Sequence, residues 1–311
     1  MTKSKTTFLA FVKRYERYRA TRVRYASRKQ VEAIANAHMG EMKDKSVADV
    51  FTRSFLTKWR NNLFKTKETS IGYRNRMISC VRSMAKQAYA WKLIGASALR
   101  DASAVLEPLG NQYAKKTERK IYSRAEIEQF LAVIENEDER FMFDMFAYLG
   151  CRIGEFLGLT WDCVSDEGYI QIKQQCTYEG KGKWLLTPVL KTNESYRACP
   201  LPNRLMGELK KRRIKGHGKY FIFSMKKDHR TPYGETTFRK KVIVYADMAS
   251  LPRLTPHCFR HSKATMLLEV CKNMEEVKSA ARFLGHSATM LLDTYGHAKE
   301  ETMLDILSRL E

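Results

Sequence analysis

The chain has 311 residues, 44% of them hydrophobic and 29% charged, and 56 Lys+Arg against 34 Asp+Glu give a formal net charge of +22. A chain of this length makes two domains and buries a sizeable core. No apolar run approaches the roughly 18 residues of a membrane helix, so no membrane span is expected. The basic excess is uneven. Through Lys115 there are 24 basic and 8 acidic residues (+16), and beyond it 32 and 26 (+6). A basic segment joined to a near-balanced one is the charge pattern of a polyanion clamp attached to a second domain.

The cysteines, at 80, 151, 163, 176, 199, 258 and 271, are scattered and odd in number, without a Cys-x-x-Cys pair. That spacing argues against a disulfide framework or a zinc site and for a reducing cytoplasm. The opening Met-Thr-Lys-Ser-Lys lacks the apolar region of a signal peptide. No internal repeat is found.

In chain order, Phe8, Leu9, Phe11, Val12, Tyr15 and Tyr18 recur at helical spacing, with Lys13, Arg14, Arg17 and Arg19 between them. Val31, Ile34, Ala35 and Met39 form a second helical pattern, with Gly40 as its expected C-cap. Residues 47–64 read as a short entry and a third helix, with Phe55, Leu56, Trp59 and Leu63 inward. The longest helix is expected over 70–91, burying Ile71, Met77, Ile78, Val81, Met84, Ala85, Ala88 and Trp91. Arg74, Arg76, Arg82 and Lys86 lie on its other face and are candidate DNA contacts. From 95 to 120 the periodicity fades around Pro108, Gly110 and Asn111, the signature of an interdomain linker.

Ser123-Arg124-Ala125-Glu126 is a capping box before Ile127, Phe130, Leu131 and Ile134. A helix over 139–149 should break at Gly150, with another starting near Arg152. Alternation from 168 to 199, with Gly180 and Gly182, indicates a small antiparallel sheet. Further helices are expected over 204–213, 236–248, 259–268 and 276–284, and a last one over 299–310.

Near the C-terminal end stand Leu284-Gly285-His286-Ser287 and, nine positions beyond His286, Tyr295 in Asp293-Thr294-Tyr295-Gly296-His297. A tyrosine is a poor nucleophile at neutral pH, because its phenol titrates near pH 10. It attacks only where a base takes its proton and cations stabilise charge on the electrophile. Such groups lie upstream: Arg152 in Gly150-Cys151-Arg152-Ile153-Gly154-Glu155, Lys191 in Leu190-Lys191-Thr192, and His257 and Arg260 in His257-Cys258-Phe259-Arg260-His261. Taken singly, each is an ordinary surface or structural residue. Arginine, lysine, His-x-x-Arg, Gly-His and tyrosine in this order resemble the tyrosine recombinases, the phage-integrase family. The resemblance covers the last 190 or so residues closely and the first 110 more loosely. The 39 positions from Arg152 to Lys191 are similar to the integrases of phages and conjugative transposons, whose hairpin is extended. Lys173, Lys181 and Lys183 lie on the same sheet as alternatives.

The resemblance implies a mainly α fold. It consists of an N-terminal four-helix SAM-like core-binding domain (1–112), a linker (113–120), and a mixed α/β catalytic domain of the DNA-breaking-rejoining type (121–311), with a small antiparallel sheet and a C-terminal tail helix. It assigns Arg152 and Arg260 to a phosphate clamp and Lys191 to protonation of the leaving 5′-oxygen. His257 becomes the base toward Tyr295, His286 a donor to the developing phosphate, and Glu155 a brace. Arg253 and Lys263 are further candidates for facing DNA. The implied activity is site-specific recombination through a 3′-phosphotyrosine and a Holliday junction, integrating or excising a mobile element. Type IB topoisomerase-like relaxation and chromosome-dimer resolution are the alternatives. Expected partners are double-stranded DNA attachment sites and a homotetramer on DNA, with room for accessory DNA-bending or excision factors. No cofactor or metal is expected, since the covalent bond stores the phosphodiester energy. The location implied is the bacterial cytoplasm. The stripe Met303, Leu304, Leu307 and Leu310 would dock on a neighbouring subunit.

Overall fold

The computed structural model describes residues 6–20, 22, 25–65, 69–108, 120–180, 183–213 and 220–295; within these, the side chains of 25–28, 36, 38, 64 and 293–295 are outside the description. The chain forms two compact units, with the boundary at Thr117. The expected tail helix and residues 113–119 of the expected 113–120 linker lie outside the described residues. Among the described residues, no helix is long and apolar enough to cross a membrane.

The first unit contains α1 (Phe8–Ala20), α2 (Tyr25–His38), the short α3 (Val47–Val50), α4 (Arg53–Lys65), α5 (Ile71–Ala90) and α6 (Ala96–Val105). Ser70 caps α5, its side chain accepting from the Tyr73 amide. The inward stripe of α5 (Met77, Ile78, Val81, Met84, Ala85 and Ala88) is buried, and it meets an aromatic cluster built on Phe8, Phe11, Phe51 and Trp91. Tyr15 and Trp59 belong to this core. Two expectations need correction. Gly40 does not cap α2; it opens a 3-10 turn, Gly40–Met42, that buries Met42. The stretch read as a fading linker holds α6, whose Ala102 and the following Leu106 are fully buried in the same core. Alanine- and serine-rich α6 is short, and Ala98, Leu99 and Val105 pack on the same core beside Ala102 and Leu106.

The second unit is mixed α/β. The Ser123–Glu126 capping box forms as expected and starts α7 (Arg124–Ala132). Next come α8 (Glu137–Leu149), α9 (Ile153–Leu157), strands β1 (Tyr169–Ile172), β2 (Gln175–Gly180), β3 (Lys183–Thr187) and β4 (Arg197–Pro200), then α10 (Asn203–Arg212), α11 (Glu235–Met248), α12 (Pro256–Val270), α13 (Met274–Leu284) and α14 (Ala288–Tyr295). The single expected sheet is two ladders: β1 pairs antiparallel with β4, and β2 with β3. The strands part at Gln174, whose side-chain Nε2 donates to the Gly158 carbonyl at 2.9 Å and to Thr160 Oγ1 at 2.6 Å. Phe130, Phe143, Phe146, Phe156, Phe238 and Phe259 fill the core, all essentially inaccessible.

Four caps set the positions of the site. Asn136 caps α8, whose first turn carries Glu137, Asp138 and Glu139, charges that complement the helix dipole. Gly150 ends α8 at φ 54°. Asn273 caps α13, and Gly285 ends it at φ 68°. Both glycines are also sterically required: a Cβ on Gly150 would lie 2.9 Å from Lys263 Cβ and Cγ, and one on Gly285 2.9 Å from Arg197 Nη1.

Candidate active site

Arg152 follows the Gly150 turn and caps α9. Its Nη1 donates to Glu155 Oε1 at 2.6 Å and to Ser195 Oγ at 2.9 Å, and its backbone amide donates to Glu155 Oε2 at 3.2 Å. Glu155, 2% exposed, also accepts from Arg197 Nη2 at 3.1 Å. Burial alone would raise its pKa, but the Arg197 and Arg152 charges outweigh burial and hold it below the ordinary carboxylate value.

Pro256 occupies the first turn of α12 behind Thr255, where its missing N–H costs nothing. Four positions later Arg260 is 1% exposed. Its Nη1 donates to the Gly150 carbonyl at 3.0 Å and its Nε to His286 Nε2 at 3.2 Å. Nη2 is buried and has no partner among the described residues. Burial first, then the neighbouring Arg152 charge, pushes this guanidinium down to about 10. His286, placed by the Gly285 turn, is pushed down to about 3 by burial and then by Arg260, Arg152, Arg197 and His257. It is therefore a neutral imidazole.

His257 is exposed on the first turn of α12, its ring edge-on to His261 with centroids 4.3 Å apart. Ser287 starts α14 by accepting from the Met290 amide at 3.1 Å, and Leu291, fully buried, packs α14 against Ala264 and Leu284. The backbone of Tyr295 is the last residue of α14; its side chain lies outside the described residues. The structure thus brings together Arg152, Glu155, Arg260 and His286, and sets His257 on the helix that carries Arg260.

Lys191 differs from expectation in its setting. It is exposed in the irregular loop between β3 and β4, not in a strand. That loop is pinned beside it: the Leu190 amide donates to Tyr196 Oη at 3.1 Å, Tyr196 donates to the Pro188 carbonyl, and Gln175 Nε2 to the Val189 carbonyl. Proline at 188 donates no ladder hydrogen bond, which is why the strand stops there. Of the alternative lysines, Lys173 is paired with Asp162, Lys183 is exposed at the start of β3, and Lys181 is outside the described residues.

The DNA-facing candidates fall in different settings. Arg76 and Lys86 are exposed on α5, while Arg74 and Arg82 are half-buried, Arg74 donating to Thr69 Oγ1 at 3.1 Å. Arg253 is exposed in a two-pronged pair with Asp247 at 2.7 and 2.8 Å. Lys263 does not face outward. Its ammonium lies 4.6 Å from the Tyr148 ring centroid and 5.7 Å from that of Phe283, and burial lowers its pKa. Packing of its stem against Gly150 draws it inward.

Sequence reading missed Arg197, whose side chain is 1% exposed. Its inward register with Cys199 on β4 was the available signal, since an arginine at a buried strand position needs a buried partner.

A family model, the phage integrase family, matches residues 120–302. The ICEBs1 integrase of Bacillus subtilis (strain 168) is 25% identical over 300 residues, 89% of this chain and 76% of its own length. Among solved structures, the Tn1549 transposon integrase in complex with a circular intermediate DNA superposes with a TM-score of 0.72 at 21% identity, covering 99% of this chain and 100% of that one. A lambda integrase dimer bound to a core site gives 0.64 at 18% identity, covering 92% and 97%. The structural likenesses show a shared fold, and the family match spans more than half of the sequence: the chain belongs to the phage integrase family.

Proposed function

We propose that the chain is a site-specific DNA recombinase that cuts and rejoins DNA through a 3′-phosphotyrosine at Tyr295, exchanging strands through a Holliday junction to integrate or excise a mobile element. One observation carries the reading: Arg260 keeps Nη2 buried and unpartnered among the described residues, in a cluster with Arg152 and neutral His286. Leaving such a donor unsatisfied is costly, so the cluster is built for an anion with several acceptor oxygens. A phosphodiester supplies two non-bridging oxygens that planar guanidiniums pair well.

In this reading the Tyr295 oxygen attacks phosphorus while His257 takes the phenolic proton. The bond from phosphorus to the 5′-oxygen breaks, and Lys191 gives that oxygen its proton, as an ammonium can and a guanidinium effectively cannot. Arg152, Arg260 and His286 hold the charge that builds on the phosphoryl oxygens, with Glu155 bracing Arg152. The free 5′-hydroxyl of a partner strand reverses the step. The double-stranded DNA substrate is carried over from the Tn1549 and lambda integrases, which were solved on DNA. Residues 1–112 act as a SAM-like core-binding domain gripping the backbone, and a homotetramer forms on two sites.

Supercoiled plasmid carrying two attachment-like sites tests the whole reading. Recombinant products are expected; relaxation with no exchange would assign topoisomerase-like activity instead.

A further inference from the structure

We infer that Arg197 is a positioning residue that sets the orientation of the phosphate clamp by tying Arg152, the Lys191 loop and the His286 turn to one buried guanidinium; this rests on the clamp reading above. Arg197 spends its donors in three directions. Nη2 binds Glu155 Oε2 at 3.1 Å, Nη1 the Ser195 carbonyl at 2.7 Å, and Nε the Phe283 carbonyl at 2.7 Å. Each tie leads to a different reacting group. Glu155 holds Arg152 through its other oxygen at 2.6 Å. Ser195 holds Arg152 a second time at 2.9 Å, and its hydroxyl lies 3.1 Å from that of Thr192, the neighbour of Lys191. Phe283 lies two residues before Gly285, where a Cβ would meet Arg197 Nη1 at 2.9 Å, and His286 follows directly.

With its side chain 1% exposed, Arg197 cannot itself face DNA. Its charge is also needed where it is. Glu155 has two oxygens and two arginines, so removal of Arg197 leaves Arg152 as the one guanidinium of this pair on a buried carboxylate, which draws Arg152 inward, away from a phosphate. A lysine keeps the charge but offers a point donor, not a fork, and cannot span three acceptors set in three directions.

The test compares cleavage rates on two nicked duplexes, one with an ordinary scissile phosphodiester and one with a methylphosphonate there, which has no charge to neutralise. Arg152→Ala checks the clamp reading, and Arg197→Lys and Glu155→Gln check the inference. Removing a clamp donor should cost about 10²–10³-fold on the phosphodiester and much less on the neutral substrate. Misplacing the same donor should cost about 10²-fold, with the same relief on methylphosphonate, for Arg197→Lys. Should Arg197→Lys prove unfolded by thermal melting, Glu155→Gln, which keeps the shape, must show the signature. If Arg152→Ala loses equally on both substrates, the clamp reading falls and the inference with it. If Arg152→Ala shows the relief but the folded Arg197 or Glu155 variant loses equally on both, or loses nothing, the inference alone is overturned.

Discussion

Arg260 donates its Nε–H to Nε2 of His286 at 3.2 Å, and this pairing assigns the imidazole proton to Nδ1. The contact joins α12 to the turn after α13 and fixes a neutral histidine among three arginines. Its folded pKa, about 3, lies below the ordinary 6.5, so the unfolded chain binds the proton more readily. The stability this group contributes is complete above about pH 6.5 and is lost as pH falls toward 3. Urea unfolding of the native chain and of His286→Gln, at pH steps across that window, should show the native advantage shrinking as pH falls. An advantage that stays constant would mean that His286 is not held neutral.

The two glycines that end α8 and α13 should be irreplaceable for stated reasons. At Gly150, alanine meets φ 54° and the Lys263 stem at 2.9 Å. The backbone penalty alone is about 1–2 kcal/mol, a loss of roughly 2–4 °C in Tm per kcal/mol for a unit of this size. Gly285→Ala meets φ 68°, Arg197 and the Glu194 carbonyl, and should depress cleavage as well as Tm because it displaces His286. Calorimetry of both variants showing an unchanged Tm would contradict the cap geometry.

Tyr196 should matter through Lys191. Its hydroxyl accepts from Leu190 and donates to Pro188, so Tyr196→Phe frees the loop next to the proposed acid. Lys191→Ala should slow cleavage strongly on ordinary DNA and far less where the 5′-bridging oxygen is sulfur, because a thiolate leaves without a proton. Tyr196→Phe should show a weaker version of the same pattern. Equal defects on both substrates for Lys191→Ala would remove the lysine from the acid role.

The exposed Arg76 and Lys86 allow a direct check of the basic first unit. If each contacts a DNA phosphate, glutamine at either position should reduce the slope of log affinity against log salt by about 1. A slope unchanged by both would mean that α5 does not face the backbone.

Much of this architecture was legible because its signals are local. Ser123 with Glu126 and Gly150 each mark a helix end within a few residues, and the structure uses both. The order of the motif residues likewise pointed to one cluster. What stayed hidden is non-local. Helix α6 is short and rich in alanine and serine, and its docking depends on a core formed by helices earlier in the chain. Arg197 reads as an ordinary strand residue until Glu155, 42 positions away, is folded against it. Lys263 reads as outward-facing until Tyr148 and Phe283 close over its ammonium.

The central claim is that Tyr295 forms the covalent bond to DNA. It is tested most directly by trapping: wild-type protein and Tyr295→Phe are each incubated with a nicked suicide substrate, and the covalent complex is read on a denaturing gel beside a native binding assay. The account predicts equal DNA binding, a covalent band for the wild type and none for Tyr295→Phe. A covalent band that persists in Tyr295→Phe would place the nucleophile elsewhere and contradict it.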